Sequence, residues 1–270
     1  MPATPRQNKG GYRGEPIDIH VVLADIATAA QRRGWTLDTF FQTPPFQLLA
    51  LHRTSPAPRT SRPALRIYLS TGIHGDEPAG PLAVRRLLQE NQWPPNIELW
   101  VCPCLNPAGF VLNRRENAAG TDLNREYRRP QAPEIIAHTA WLDRQPDFDL
   151  SLCLHEDWES HGFYVYELNP DKRPSLAELM VKRVAAVCPI DTSEMIEGRP
   201  ADNGIIRPQI DPPARPDWPE AFYLITHKSR LSYTLEAPSD FPLPVRVAAL
   251  TEGVRAAIEA LDSKGQSSSP

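Results

Sequence analysis

Two patterns of apolar residues, one with helical spacing and one of short continuous runs, alternate along the chain and predict helices interleaved with strands. Apolar residues recurring three and four positions apart predict helices over 17–33, 78–89, 133–144, 175–187, 220–228 and 245–261. Short apolar runs predict strands over 35–41, 46–52, 64–70, 97–102, 148–155, 163–168 and 231–236. Strands that alternate with helices favour a single α/β domain with a largely parallel core sheet.

Two long segments show neither of these patterns. Residues 103–129 form an irregular stretch of a length that usually marks a functional loop. Residues 189–219 are rich in proline, glycine and aspartate, which suits a wall or lid over a site. At the ends of the chain we expect a flexible arm over 1–15 and a flexible tail over 263–270, which leaves 16–262 as one domain.

The composition narrows the class of partner. The chain has 270 residues, and its net charge of −4 is too mild to indicate a nucleic-acid or membrane-surface partner. Apolar runs of membrane-spanning length are absent from the sequence, and the polar first residues do not resemble a secretory signal. The four cysteines show no strong metal or disulfide spacing, so we expect a cytoplasmic protein.

The most informative stretch runs from residue 70 to residue 80. His74 and Glu77 lie where a predicted strand passes into a predicted helix, a turn found at the carboxyl edge of α/β sheets, where ligands bind. Glycines at 72, 75 and 80 permit a sharp turn and close backbone approach. The pair is either two ligands of a zinc ion or a polar cap of the following helix.

A third ligand is expected at the end of another strand. His155 closes an apolar run and opens a polar loop, although a lone histidine there is often only a satisfied polar group. The pattern H-E-x-x-H fails because residue 159 is Glu, and His161 is the strongest rival ligand. Two histidines and one carboxylate would satisfy hydrolytic zinc, which keeps a fourth position for water.

Glu236 ends a further apolar strand, where burial of a carboxylate is costly unless the group is paired or functional. As a general base it would take a proton from a zinc-activated water and deliver it to a leaving amine. The alternative is a glutamate merely exposed at the end of a strand.

The loop over 114–125 carries further candidates. Asn124 and Arg125 beside a metal would form a fork for a carboxylate, since arginine binds carboxylates in a bidentate manner. Asp122 could accept the second ring N–H of a zinc-bound histidine. Taken alone, such an arginine-rich loop is more often solvated surface.

Together these stretches resemble zinc metallocarboxypeptidases of the carboxypeptidase A type. The motifs occur in the same order as in that family, at Gly72–Glu77, Asn106–Gly109, Asp122–Arg125, Leu154–His155 and Thr234–Glu236. The compact bacterial branch that includes murein peptide amidases is the most similar, and succinylglutamate desuccinylase and aspartoacylase are related. The resemblance implies a single α/β domain whose mixed sheet has roughly eight strands and helices on both faces.

The same resemblance implies roles for particular residues. It implies one zinc ion held by His74, Glu77 and His155, with Asp122 behind His74. It further implies a scissile carbonyl polarised by Arg115, a terminal carboxylate gripped by Asn124 and Arg125, and Glu236 as the catalytic glutamate. The family's mobile tyrosine has two candidates, Tyr164 and Tyr223, and the specificity pocket is expected from residues near 195–222.

Three functions compete. The first is a metallocarboxypeptidase or peptide amidase that cleaves an amide beside a free carboxylate, acting on small peptides or peptidoglycan fragments. The second is a deacylase of N-acyl amino acids, which the acidic, tryptophan-containing loop after His155 disfavours. The third is a zinc-binding module without catalysis, which the presence of Arg115 and Glu236 disfavours. The expected partner is a small carboxylate-bearing substrate, and the sequence indicates no oligomeric state.

Overall fold

Ten strands form one mixed sheet in the computed structural model, which describes residues 15–56, 63–209 and 214–267. The strands are β1 (Thr36–Thr43), β2 (Phe46–Arg53), β3 (Leu65–Thr71), β4 (Ile97–Cys102), β5 (Leu150–Asp157), β6 (Tyr164–Leu168), β7 (Met195–Ile196), β8 (Arg199–Asp202), β9 (Ile205–Ile206) and β10 (Ser232–Pro238). Their order across the sheet is β1-β2-β4-β3-β5-β10-β6-β9-β8-β7. The four central strands, β4, β3, β5 and β10, run parallel to one another.

Seven helices cover the sheet in the described residues. They are α1 (Ile19–Arg32), α2 (Ala79–Glu90), α3 (Pro107–Leu112), α4 (Pro133–Asp143), α5 (Ala177–Val184), α6 (Glu220–His227) and α7 (Leu243–Ser267). Helix α1 illustrates how the sequence specifies them, because its buried residues recur at helical spacing and the Asp18 carboxylate accepts the N–H groups of His20 and Val21.

Alternation along the central strands divides the core into two layers. On β3, Ile67 and Leu69 face a cluster that contains α1, α2, α5 and α7, whereas Tyr68 faces a second cluster with α4 and α6. Successive side chains of a strand point to opposite faces, so a sheet buried on both sides carries apolar residues at most positions of its strands. The expected single α/β domain with helices on both faces is confirmed.

The structure departs from the sequence prediction mainly in the irregular segments. The sheet has ten strands rather than roughly eight, because the 189–219 stretch contributes the short strands β7, β8 and β9. The predicted loop over 103–129 contains α3 and a 3₁₀ turn at Leu123–Arg125. Segments this short leave no periodic signal in the sequence.

The ends of the chain are only partly described. The predicted arm lies outside the described residues except for residue 15, and residues 268–270 of the predicted tail also lie outside them. Helix α7 continues to Ser267, past the predicted end at 261 and into the predicted tail. The division into arm, domain and tail stays a prediction. Within the described ranges no helix is both long and apolar enough to cross a membrane.

A buried polar network joins three elements within the second core layer. Glu220, the first residue of α6, is 1% exposed and accepts hydrogen bonds of 2.8 Å from the Tyr68 hydroxyl and from the Ser70 hydroxyl. The Tyr68 oxygen also lies 2.9 Å from Nε2 of His138 on α4, whose Nδ1 lies 2.8 Å from the Tyr127 hydroxyl. The network therefore fixes α4 and α6 against β3.

This network generates a prediction on stability. Burial raises the pKa of Glu220 from its ordinary value of 4.5 to about 7, although hydrogen bonds from Tyr68 and Ser70 oppose the shift. The folded state therefore holds this proton more tightly than the unfolded state, and stability falls as the pH rises from 4.5 to 7. The full loss is on the order of 3 kcal/mol.

The measurement is urea unfolding at pH 5 and pH 8. We expect Glu220→Gln to reduce the difference in unfolding free energy between the two pH values by roughly the amount above. Glu178→Gln, which alters an exposed glutamate in the first turn of α5, is the matched control. An identical pH dependence in the wild type and in Glu220→Gln would contradict the prediction.

Candidate active site

The candidate residues collect at the carboxyl edge of the parallel strands. His74 and Glu77 lie in the turn between β3 and α2, while His155 lies on β5 and Glu236 on the neighbouring β10. Strand register pairs Glu236 directly with His155. Because β3, β5 and β10 are adjacent and parallel, residues 160 positions apart in sequence meet at one edge.

Close backbone packing sets the shape of the turn between β3 and α2. Gly72 has a φ of +64°, which favours glycine. At Gly75 a Cβ atom would lie 2.0 Å from the backbone carbon of Gly109, so only glycine allows α3 to approach so closely. The side chain of Asn106 donates to the carbonyl groups of Ile73 and Arg115, which ties the turn to the loop that follows α3.

The Glu77 carboxylate joins the two histidines. Nδ1 of His74 lies 2.5 Å from Oε1 of Glu77, and Nδ1 of His155 lies 3.0 Å from Oε2. The backbone N–H of Glu156 also donates to Oε2, at 3.2 Å. All three residues are buried, with at most 6% of their surface exposed. The carboxylate thus has a nitrogen partner at each oxygen.

These three side chains could hold a divalent metal ion. One ligand atom from each lies within 4.8 Å of the others, and no other group of three His, Cys, Asp or Glu residues meets this criterion in the described part of the chain. Two imidazole nitrogens and a carboxylate oxygen are a donor set typical of catalytic zinc. The rival ligand His161 is exposed and lies outside the group.

The protonation states of His74, Glu77 and His155 depend on one another. Burial would raise the pKa of Glu77, but His74 and His155 outweigh it and hold that pKa well below its ordinary value. Burial lowers the pKa of His155. For His74 burial acts in the same direction, yet Glu77 and Asp122 outweigh it and raise the pKa. Glu77 is therefore an ionised carboxylate that is buried among nitrogen donors.

Asp122 and Arg115 form a layer behind the group. Oδ1 of Asp122 lies 3.3 Å from Nε2 of His74, the ring nitrogen that faces away from Glu77. Nε of Arg115 donates to Oδ2 of Asp122 at 2.9 Å, and Nη1 of Arg115 lies 3.8 Å from Oε1 of Glu77. Burial would raise the pKa of Asp122, but His74 and Arg115 lower it strongly. The carboxylate orients the imidazole and the guanidinium together.

Asn124 and Arg125 follow Asp122 in the 3₁₀ turn. The Asp122 carboxylate accepts the backbone N–H of Asn124, and Oδ1 of Asn124 accepts the backbone N–H of Glu220 at 2.8 Å. Nη1 of Arg125 donates to the Asn124 carbonyl, while its Nε lies 3.7 Å from Oδ2 of Asp217. The Arg125 side chain is half exposed and can reach a ligand.

Glu236 differs from Glu77 in having no nitrogen partner among the residues that the structure describes. No hydrogen bond or ion pair within the described ranges reaches its carboxyl group. Burial raises the pKa of Glu236 well above its ordinary value, and the negative charges of Glu77, Asp157 and Glu197 add to the effect. Such a carboxyl group binds a proton more tightly than an exposed glutamate does, as a group that exchanges protons with a substrate must.

One cavity of about 260 Å³ brings these groups together. Of the residues predicted from the sequence it is lined by His74, Glu77, Arg115, Asn124, Arg125, His155 and Glu236, whereas Asp122 lies behind the wall. The expected contribution from 195–222 is also present, through Glu197, Arg199, Arg215, Asp217, Pro219, Ala221 and Phe222.

Neither candidate tyrosine lines this cavity in the described structure. The hydroxyl of Tyr164 donates to Asp157, and that of Tyr223 donates to Asp143. The tyrosine that does line the cavity is Tyr166, whose hydroxyl donates to Glu197. Tyr166 belongs to β6, where alternation places it on the face opposite its neighbours, but that pattern alone does not show which face is the site.

Sequence reasoning also missed the residues directly after His155. Strand β5 continues through Asp157, and Glu156, Asp157 and Trp158 all line the cavity. Oε1 of Glu156 accepts the N–H of Ala79 at the start of α2, and its other oxygen pairs with the buried Arg246. Glu156 therefore holds the α2 terminus next to Glu77. A run of polar residues after an apolar strand was the only available signal.

Comparison with known proteins supports the same relationship. The model of the succinylglutamate desuccinylase/aspartoacylase catalytic domain matches residues 63–188, a region that contains His74, Glu77 and His155. Carboxypeptidase SOL1 of Arabidopsis thaliana is 32% identical over 104 residues, which cover 31% of this chain and 21% of that protein. The chain thus spans about a fifth of the length of this curated relative.

Solved structures show the same fold. A protein of Shewanella denitrificans classed as a metallopeptidase superposes with a TM-score of 0.77 at 21% identity, over 93% of this chain and 98% of that one. A metallocarboxypeptidase of Pseudomonas aeruginosa, in complex with (2-guanidinoethylmercapto)succinic acid, gives a TM-score of 0.65 at 21% identity, over 93% and 70%. These matches confirm the resemblance to metallocarboxypeptidases and to the related deacylase group.

The geometry predicts where a metal ion binds. We expect the chain to bind zinc at one ion per chain and His155→Gln to weaken that binding at least about a hundredfold, since even partners of ligands contribute 10–100-fold. His161→Gln, six residues further along, is the matched control and should bind as the wild type does. Metal content after dialysis, with competition by a chelator, measures both. Equal affinity in His155→Gln and wild type would exclude the site.

Proposed function

We propose that this chain is a zinc-dependent hydrolase that cleaves an amide bond next to a free carboxylate, as a metallocarboxypeptidase or peptide amidase. The observation that carries the proposal is the common cavity. It combines a His-Glu-His donor set, the carboxyl group of Glu236, which has no hydrogen-bond or ion-pair partner among the described residues, and guanidinium groups that include those of Arg115 and Arg125, within a volume suited to a small ligand. Each of these parts has a separate task in amide hydrolysis.

His74, Glu77 and His155 would hold the ion, with Asp122 accepting the N–H of His74 on the far side of the ring. When bound, zinc supplies Lewis acidity, which generates a hydrolytic nucleophile from water near neutral pH. The buried hydrogen bonds of Glu156 and Asn106 keep the donor turn in one conformation before the ion arrives.

Glu236 is the proposed general base and acid. It faces the cavity beside His155, and its raised pKa lets it accept a proton from the attacking water and pass that proton to the leaving amine. A carboxyl group held by strong hydrogen bonds would be too acidic for this exchange. The absence of such bonds within the described residues supports the assignment.

Arg115 is the proposed stabiliser of the oxyanion. Its Nε is held by Asp122, and its Nη1 points toward Glu77. A guanidinium fixed in this way can donate to the oxygen of the scissile carbonyl as negative charge develops on it. Because its orientation is set before substrate arrives, little reorganisation is needed during the reaction.

Asn124 and Arg125 are the proposed grip on the substrate's carboxylate. Arg125 carries a guanidinium that reaches the cavity, and its one described acidic neighbour, Asp217, lies 3.7 Å away. A substrate carboxylate can displace so long and exposed a contact, because exposed ion pairs contribute about 0–1 kcal/mol.

We also propose a cytoplasmic location, which the four unpaired cysteine thiols support.

Deacylation of N-acyl amino acids is the second candidate function, and the family-model match over 63–188 favours it. Both reactions use the same donor set and the same carboxylate grip. The choice between them rests on the substrate group that the rest of the cavity wall receives. Trp158, Tyr166 and Glu197 belong to that wall and offer apolar and polar contacts to a peptide side chain, which supports the peptidase.

Two substrate panels separate these functions. One contains small peptides with free carboxyl termini, and the other contains N-acetyl and N-succinyl amino acids. We expect the zinc-loaded chain to hydrolyse the first panel with higher kcat/KM than the second. The reverse order would establish the deacylase, and no turnover on either panel would leave only the zinc-binding module.

Glu236→Gln tests the proposed base. We expect kcat to fall by roughly 10²–10⁴-fold, the usual contribution of general acid–base catalysis, while bound zinc stays at the wild-type level. Single-turnover kinetics and metal analysis on the same sample provide the two readings. Glu178→Gln on the surface serves as control. Full activity in Glu236→Gln would show that the mechanism is wrong.

Arg125→Ala tests the carboxylate grip. Loss of a charge-assisted hydrogen bond of about 1.5–3 kcal/mol should raise KM for carboxylate substrates by roughly 10–100-fold. Substrates whose terminal carboxylate is amidated should show little change, because they never make the contact. Arg85→Ala removes a surface guanidinium on α2 and is the matched control. An unchanged KM in Arg125→Ala would reject this role.

A further inference from the structure

A buried carboxyl group next to the cavity takes no part in the reaction proposed above. Glu220 accepts hydrogen bonds from the hydroxyl groups of Tyr68 and Ser70, and no arginine or lysine within the described ranges forms an ion pair with it. Its neighbours Pro219 and Ala221 line the cavity, as does Cys153, whose thiol contacts the carboxyl group. Burying a carboxyl group without a cationic partner is unfavourable, so the position of Glu220 calls for a structural or functional explanation.

The backbone of Glu220 also binds Asn124, one of the two residues proposed to bind the substrate carboxylate. The N–H of Glu220 donates to Oδ1 of Asn124 at 2.8 Å. A carboxamide carries its acceptor and its two donors on opposite sides, so this bond determines where the NH₂ group points. None of the hydrogen bonds described for the chain uses Nδ2 of Asn124, and the residue lines the cavity. The NH₂ group is therefore available to a ligand.

The Glu220 side chain anchors that N–H. Its two oxygens bind two residues of β3, the strand that leads into His74, and through Tyr68 they reach His138 of α4. If Tyr68 donates its proton to Glu220, Nε2–H of His138 donates to Tyr68 and Tyr127 donates to Nδ1, so every member of the chain has a partner. The start of α6 is thus fixed relative to β3.

We propose that Glu220 is a positioning residue, which locks the start of α6 onto β3 so that its N–H keeps the Asn124 NH₂ group turned toward the substrate carboxylate. The inference rests on the proposed function, because it assigns Asn124 a carboxylate ligand. It adds a determinant of affinity that touches neither the substrate nor the metal donors.

The titration of Glu220 supports this role. Burial raises its pKa to about 7, whereas burial lowers the pKa of His138 to about 3. The other groups that face Glu220 have pKa values raised well above their ordinary range, namely Tyr68, Tyr127, Cys102 and Cys153. Glu220 is then the member of this network that changes charge near neutral pH. Its ionisation would place a negative charge beside the site of a bound carboxylate and weaken binding.

The test separates KM from kcat in the zinc-loaded full-length chain. With a peptide that has a free carboxyl terminus, Glu220→Leu should raise KM about tenfold and change kcat less than about threefold, since only carboxylate binding is affected. Glu220→Gln should keep KM near the wild-type value at pH 6 and lose the rise in KM that the wild type shows between pH 6 and pH 8.

Tyr127→Phe is the control for a merely structural role. It removes one hydroxyl from the far end of the same network and leaves the carboxyl group in place. We expect it to lower the melting temperature without changing KM. If Tyr127→Phe raises KM as much as Glu220→Leu does, or if both glutamate variants leave KM and its pH dependence unchanged, the inference is overturned while the proposed function stands.

A second measurement does not depend on turnover. The side-chain amide resonances of Asn124, assigned with Asn124→Asp, should titrate with a midpoint near pH 7 in the wild type and not in Glu220→Gln. This result would support the positioning role even if no carboxylate substrate were hydrolysed, in which case only the proposed function would fail. Resonances that are identical in both proteins at every pH would overturn the inference.

Discussion

The structure of the site depends on the burial of the Glu77 carboxylate. A buried charge is unfavourable unless it is paired and hydrogen-bonded. Here the partners are the imidazole of His74, in the turn after β3, and the imidazole of His155 and the backbone N–H of Glu156 on β5. This requirement brings the end of β3 and the end of β5 together. Removing one partner would leave the charge less well compensated.

A second layer of charges holds that unit in place. Asp122 lies behind His74 and orients Arg115, while Glu156 links the start of α2 to the buried Arg246 of α7. Each carboxylate of this layer joins two elements that are distant in sequence. The layer explains why the turn at 72–77 needs glycines, because the backbone must approach α3 closely enough for the surrounding polar groups to reach their partners.

The wall of the cavity carries charges of both signs. It is lined by the guanidinium groups of Arg115, Arg125, Arg199 and Arg215 and by carboxyl groups that include those of Glu236, Asp157 and Glu197. A substrate that brings a carboxylate to Arg125 and an amide to the donors would meet complementary charge at both points. The fold that carries this arrangement is shared at low sequence identity with solved structures of a metallopeptidase and a metallocarboxypeptidase.

The sequence by itself was sufficient for most of the regular elements and for the positions of several polar residues that meet at the cavity. The burial of both sheet faces and the helical spacing in α1 are local patterns, and His74, Glu77, His155 and Glu236 stand at the ends of apolar runs, where a polar residue is conspicuous. It was insufficient for the short strands β7 to β9, which have too few residues to show a period. The roles inferred for the site residues stay predictions until they are measured.

Only the tertiary structure decided which side chains share the cavity wall. Tyr166 lines it, whereas Tyr164, two positions earlier on the same face of β6, donates its hydroxyl to Asp157, and Tyr223 donates its hydroxyl to Asp143. No local pattern of the sequence contains these directions. The same holds for Glu220, which in sequence is an ordinary first-turn glutamate and in the fold lies against β3 and Asn124. Contacts between residues about 100 to 150 positions apart depend on how the sheet is assembled, and that information is spread over the whole chain.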